Sequence, residues 1–181
     1  MRILFVAPYI PSRIRIRPFQ IIKGLAARHE VHVLALGGSD SEDCEGIDEM
    51  RSLCASFRVI PHAKLRGYAQ SLLSLPTASP MCTAFCRSTS MHSAVCDAIS
   101  SLKPDVIHIE HLRAASFVPA RPGVPVLFDS VDCLTGLFTQ MAARRKNPLA
   151  KMLMAEESWK LRRYEPRTLR RYGAVIVTSD S

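Results

Sequence analysis

Arg2-Ile-Leu-Phe-Val-Ala7 and Val31-His-Val-Leu-Ala-Leu36, with an apolar stripe between them, decide how the rest of this 181-residue chain is read. Neither run alternates polar with apolar residues, the pattern of a strand buried on both faces. Between them Pro18 suits a first helical position, and Phe19, Ile22, Leu25 and Ala26 recur at helical spacing. Strand, helix and strand with tight links form a βαβ unit, whose parallel strands are joined by a right-handed crossover. The loop 8–17 then lies where the first strand ends and a helix begins, which is where ligands sit in open α/β sheets.

The same grammar continues outward. Ser41 can cap a helix carrying Ile47, Met50 and Cys54 on one face, and Phe57–Ile60 is a short third strand stopped by Pro61. From 62 to 80 the pattern weakens; Tyr68, Leu72 and Leu75 suggest an amphipathic turn or two, either a mobile flap or a membrane-touching patch. Helical spacing returns over 81–102, followed by a fourth strand over 105–109 tipped by Glu110 and His111. A short helix through Leu112, Ala115 and Val118 leads to a fifth strand over 124–128, tipped by Asp129 and Asp132. Helices over 134–145 and 149–172, broken at Asn147-Pro148, precede a sixth strand over 174–178. Short buried strands separated by helices predict an α/β, doubly wound parallel sheet of about six strands, Rossmann-like, forming one domain over 1–181. With no helix after the final strand, the natural chain is expected to continue.

Composition narrows the function classes. No apolar run is long enough to span a bilayer, and the N-terminal stretch is too short for a signal peptide, so the expected location is cytoplasmic. Cysteines 44, 54, 82, 86, 96 and 133 show no zinc spacing and read as reduced, mostly buried thiols. The net charge of +8 is uneven: residues 134–172 hold ten Lys/Arg against three Glu, whereas 38–50 hold six acids. The basic third reads either as a helix with a solvated charged face or as a docking surface for an anion or lipid. No aromatic residues interleave with it in the manner of RNA-binding surfaces, so no nucleic-acid partner is expected.

Several chemistries are excluded. Residues 8–18 contain no glycine, so a nicotinamide-binding Rossmann turn fails, and no GxxxxGK[ST] loop or nucleophile elbow occurs. The loop offers Ser12-Arg-Ile-Arg-Ile-Arg17 instead. If it is extended, Arg13, Arg15 and Arg17 point one way, toward a diphosphate or other anion, and Ile14 and Ile16 the other. Equally, the two isoleucines pin the loop to the body while the arginines are merely solvated. Glu110, His111, Asp129 and Asp132 at strand tips are expected along the same crevice, holding hydroxyls or acting as a general base. Asp129 or Asp132 has a structural alternative as a helix cap. His108 and His32 read as satisfied core histidines, and Trp159 as packed on the sheet.

The order of motifs resembles a known family. Met1-Arg-Ile-Leu-Phe-Val-Ala-Pro8, His29-Glu-Val-His-Val33, Pro104-Asp-Val-Ile-His-Ile109, Asp129-Ser-Val-Asp132, Arg162-Arg-Tyr-Glu165 and Ala174-Val-Ile-Val-Thr-Ser179 resemble the N-terminal half of family-4 glycosyltransferases of the GT-B fold. The likeness is to the sugar transferases of exopolysaccharide and PEP-CTERM/exosortase gene clusters, and it covers essentially the whole chain. It implies two Rossmann-like domains facing a cleft, an N-terminal one for the acceptor and a C-terminal one for a nucleotide-sugar donor. It also implies transfer with retention, no metal and no cofactor.

On that resemblance Arg13, Arg15 and Arg17 replace a glycine-containing loop near the donor diphosphate. His108-Ile-Glu110-His111 replaces a His-x-His, so the second histidine's role passes to Glu110 or His111 or is lost. Glu110 and His111 are the catalytic candidates, and Asp129 and Asp132 bind substrate. The donor-binding domain is absent from the sequence, and it is expected in cis or, more rarely, on a partner chain. Alone, the chain is expected to transfer no sugar. The partner expected is a glycan or lipid-linked acceptor, reached by peripheral contact at the inner face of the plasma membrane. The rival class is a non-catalytic scaffold that docks residues 134–172 on a membrane or a partner protein.

Overall fold

The computed structural model describes residues 1–37 and 47–177, so the cap expected of Ser41, the thiol of Cys44 and the last four residues lie outside the described part. Strands β1 (Arg2–Ala7), β2 (Glu30–Gly37), β3 (Ser56–Pro61), β4 (Val106–Glu110), β5 (Val126–Ser130) and β6 (Ala174–Val177) form one sheet in the order β3-β2-β1-β4-β5-β6. All neighbours are parallel. This is the doubly wound, Rossmann-like α/β arrangement expected, with the order reversing between β1 and β4.

Alternation along β1 explains why both faces are covered. Leu4 and Val6 join a core with Ile107, Ile109 and Phe128, whereas Ile3, Phe5 and Ala7 join a second core on the opposite face with Val31 and Val33. Helix α1 (Ile16–Ala26) and α2 (Ile47–Leu53) cover the second core through Phe19, Ile22 and Met50. Helices α3 (Lys64–Leu73), α4 (Met81–Phe85), α5 (Thr89–Leu102), α6 (Leu134–Arg144) and α7 (Pro148–Leu169) complete the chain.

Several boundaries differ from expectation, each for a local reason. Helix α1 starts at Ile16, so Arg17 belongs to its first turn. The helix expected over 81–102 is two, because Ser88 turns its side chain to the Met91 N–H and caps α5. Only a single 3-10 turn, Leu112–Ala114, forms where a helix through Val118 was expected. Strand β5 runs two residues later than expected, since Asp129 pairs in register with Glu110 inside the sheet. Asn147 caps α7 by accepting from the Leu149 and Ala150 N–H groups, and α7 stops at Leu169. Cys86 is buried, while Cys133 is exposed; the described cysteines are free thiols.

Helix α7 carries charge inward. Glu157 is fully buried and accepts from the Met81 and Cys82 N–H groups at 2.7 and 2.8 Å, closing the N-terminus of α4. Lys160 Nζ donates to the Ser74 and Leu75 carbonyls at 3.0 and 2.8 Å, just past the end of α3. Glu165 accepts from Leu134 N, Thr135 N and Thr135 Oγ1, closing the N-terminus of α6. The uniformly solvated charged face expected of this helix is therefore only part of the picture. Trp159, expected on the sheet, is instead 54% exposed under the Arg163 guanidinium. At the sheet edge the side chains of β6 are exposed.

Candidate functional site

At the C-terminal ends of β1, β4 and β5 the chain forms a cleft of about 430 Å³, lined among others by Tyr9, Arg15, Arg17, His111, Arg113 and Asp132. A larger hollow of about 570 Å³ lies at the opposite rim. There Arg2 donates to both acids, from Nε to Glu30 at 3.3 Å and from its backbone N–H to Asp105 at 2.6 Å. The smaller cleft is the one whose polar groups are left short of partners.

The floor of the cleft is built by strand register. His108 and Glu110, two residues apart, face the α1 side of the sheet, and Asp129 sits beside Glu110 on β5. His108 stacks on Phe5, its β1 neighbour, at 4.4 Å between centroids. All three side chains are buried. His108 Nε2 lies 3.8 Å from Glu110 Oε2 and 3.9 Å from Asp129 Oδ2, too far for a hydrogen bond to either. Both His108 Nε2 and Glu110 Oε2 lack a hydrogen-bond partner among the described residues. The reading of His108 as a satisfied core histidine is thus overturned: it is core, but its outer nitrogen is left open. His32 does have partners, Ser56 Oγ at 2.8 Å and Glu30 at 3.0 Å.

The arginine loop is not extended, and its three guanidiniums part company. Arg13 leaves for Glu49 on α2, at 3.0 and 3.1 Å, and stands outside the cleft. Arg15 folds back, donating to the Ile10 carbonyl at 3.1 Å with its guanidinium 4.9 Å from the centre of the Tyr9 ring. Arg17, in the first turn of α1, reaches both oxygens of Asp129 through one nitrogen, at 2.8 and 3.0 Å. This pairing occupies Asp129, which caps no helix; Glu165 caps α6 instead. Ile14 and Ile16 are 70% and 60% exposed, so they do not pin the loop. Arg15 is the N-cap residue of α1; its side chain makes no cap hydrogen bond, and its own N–H donates to Ser12 Oγ at 3.3 Å.

The walls hold two further features. His111 has φ +70° and ψ 150°, a region essentially reserved for glycine, at a cost of about 1–3 kcal/mol. The twist seats the buried imidazole in the cleft wall, where Nδ1 accepts from the Arg113 N–H at 3.2 Å. Burial, and then the Arg113 charge, push its pKa down to about 4, so at neutral pH the ring is uncharged. With Nδ1 accepting, its proton resides on Nε2, a hydrogen-bond donor. Tyr9 donates to Glu110 Oε1 at 3.3 Å, and burial followed by the Glu110 charge holds its hydroxyl protonated well above the usual range.

Of the residues singled out in the sequence, Arg15, Arg17, Glu110, His111, Asp129 and exposed Asp132 come together at one rim; Arg13 does not. Sequence reasoning missed Tyr9 and Arg113, the latter with a buried Nε that lacks a partner among the described residues, and it read His108 as core rather than as part of the site. The signal for His108 was available: it lies two residues before Glu110 on a strand, hence on the same face. Arg113 gave none, because a 3-10 turn was needed to bring it back to the cleft.

Comparisons with known proteins give a family. Residues 15–181 match the Glycosyl transferase 4-like domain. No curated protein matches the chain. Among solved structures, the glycosyltransferase VinC in complex with DTDP matches at 13% identity and a TM-score of 0.46, covering 98% of this chain and 46% of that one. The glycosyltransferase SnogD from Streptomyces nogalater matches at 14% identity and a TM-score of 0.45, covering all of this chain and 45% of that one. The chain therefore spans less than half the length of either structure. With the matched region running over nearly all of its residues, the chain belongs to the glycosyl transferase 4-like domain family.

Proposed function

We propose that this domain is the acceptor-side, N-terminal half of a retaining GT-B glycosyltransferase, and that its cleft takes the anionic part of a nucleotide-sugar donor held mainly by a second domain. The observation that carries this is the cleft's donor set. Arg15, Arg17, Arg113 and the Nε2–H of His111 line one cleft at the start of α1. Guanidiniums beside a helix N-terminus suit a diphosphate, and the charge building on a departing nucleotide diphosphate is what such an array would stabilise. Exposed Asp132, which lines the cleft, is assigned to acceptor hydroxyls, on a glycan or lipid-linked chain of the exopolysaccharide type. No metal or cofactor takes part in the transfer.

The direct test is calorimetric titration of the 181-residue chain with a uridine or thymidine diphosphate. Binding that weakens about tenfold or more in Arg15→Glu, with unfolding unchanged, is the expected result. Equal affinity in that variant removes Arg15 from the site, and no heat with either nucleotide removes the anion-binding reading. Supplied with a nucleotide sugar and no second domain, the chain is expected to show no turnover.

A second reading is supported by α3. Leu65, Tyr68, Leu72 and Leu73 lie along one exposed face of that helix, and residues 50–96 contain five Lys/Arg and no acid. An apolar stripe on a cationic segment suits the surface of an anionic bilayer, where a lipid-linked acceptor resides. Flotation with anionic vesicles that is lost in Leu72→Glu supports it; flotation insensitive to that change does not.

A further inference from the structure

The three buried side chains under the cleft are short of one partner, and the shortage has a definite shape. Glu110 and Asp129 are both fully buried side by side, Arg17 pairs with Asp129, and a buried carboxylate oxygen that is neither hydrogen-bonded nor metal-bound is costly. His108 Nε2 and Glu110 Oε2 point into the same space and bond to nothing among the described residues. His108 Nε2 stands almost equally far from a carboxylate oxygen on each side, at 3.8 and 3.9 Å, and one ligand atom from each residue falls within 4.8 Å of the others. Ligands about 2.0–2.2 Å from a common ion sit roughly 3.3–3.8 Å apart, so only small side-chain closure separates this arrangement from a coordination shell.

We propose that His108 Nε2, Glu110 Oε2 and Asp129 Oδ2 hold a divalent cation of the zinc class. One imidazole and two carboxylates suit zinc or its first-row neighbours better than magnesium or calcium, which take all-oxygen shells. The surrounding contacts have the form of an outer shell: Tyr9 holds the other oxygen of Glu110, Arg17 holds Asp129, and Phe5 sets the plane of the imidazole. Arg17, 35% exposed on its side chain, stands between Asp129 and the cleft and marks the route of entry. The ion lies beneath the cleft and touches no substrate. Its work is to hold Tyr9 and Arg17 in place through Glu110 and Asp129.

The inference does not rest on the proposed function, and its test contains neither sugar nor nucleotide. The untagged 181-residue chain is stripped with a chelator, titrated with Zn²⁺ by calorimetry, and loaded with Co²⁺ for absorption spectroscopy. One equivalent of Zn²⁺ is expected, with Co²⁺ d–d bands that lack thiolate charge transfer. Binding should be lost in Glu110→Gln and in His108→Gln, and weakened about tenfold in Tyr9→Phe, which removes only an outer contact. No retained metal overturns the proposal, as do thiolate bands or unchanged affinity in both Glu110→Gln and Tyr9→Phe. The Tyr9→Phe and Co²⁺ readouts hold even where His108→Gln fails to fold.

Discussion

Two sets of charged side chains are buried in this domain, and they are treated in opposite ways. Along α7, Glu157, Lys160 and Glu165 meet backbone N–H or carbonyl groups at the ends of other helices. Under the cleft, Glu110 and His108 keep atoms with no partner among the described residues, and Arg17 and Arg113 each have an open Nε. Buried polar atoms with unequal satisfaction separate the two roles. A charge that closes a helix end holds the fold together, and one left open beside a cleft is available to something else.

The strongest way to break that contrast is to remove a satisfied charge. Glu165→Ala strands three donors at the start of α6, and a loss of about 3 kcal/mol or more is expected in urea unfolding. A loss below 1 kcal/mol would mean that the caps are not structural. Acid comes next. The folded pKa of His111, about 4, lies below its unfolded value of 6.5, so the unfolded chain takes a proton that the native one refuses. Stability present above pH 6.5 is therefore lost as pH falls toward 4, by about 3 kcal/mol for this group alone. The same titration on His111→Gln should be flatter by that amount.

A smaller effect sharpens the cleft's side of the comparison. At His111 the strained backbone predicts that the Gly variant is more stable than the Ala variant by about 1 kcal/mol, although both lose the ring. Chemical denaturation of the pair decides it, and equal stabilities would mean that the backbone relaxes. Smallest of all, Trp159→Ala should shift stability by only about 0.5 kcal/mol, since the ring is mostly exposed over Arg163.

How far the sequence carried the reading differs between the same two regions. The sheet was legible because its strands are near-continuous apolar runs, and Glu110, His111 and Asp129 were legible as strand-end polar residues. Their arrangement was not. Asp129 read as a tip because polar residues usually end a strand, yet here the ladder continues through Ser130 and buries the carboxylate beside Glu110. The arginine loop misleads because strand-like alternation holds nowhere along it: residues 13–15 bend, and helix α1 begins at Ile16. The inward charges of α7 were hidden by composition, since a lysine- and arginine-rich helix reads as solvated. The available clue was spacing: Glu157, Leu161, Glu165 and Thr168 fall on one helical face, so two glutamates share the apolar stripe.

Helix α7 also sets a schedule. Its Glu157 and Lys160 reach segments made 75 to 86 residues earlier, so the start of α4 and the stretch after α3 stay unfinished until those residues emerge and dock. Contacts of such long reach form late, after the loop-closure cost has been met. Weakening them should hasten unfolding while leaving the refolding rate nearly untouched. Stopped-flow measurements on Glu157→Gln would show α7 as the latch of the molecule, and a slowed refolding limb would show it as the seed.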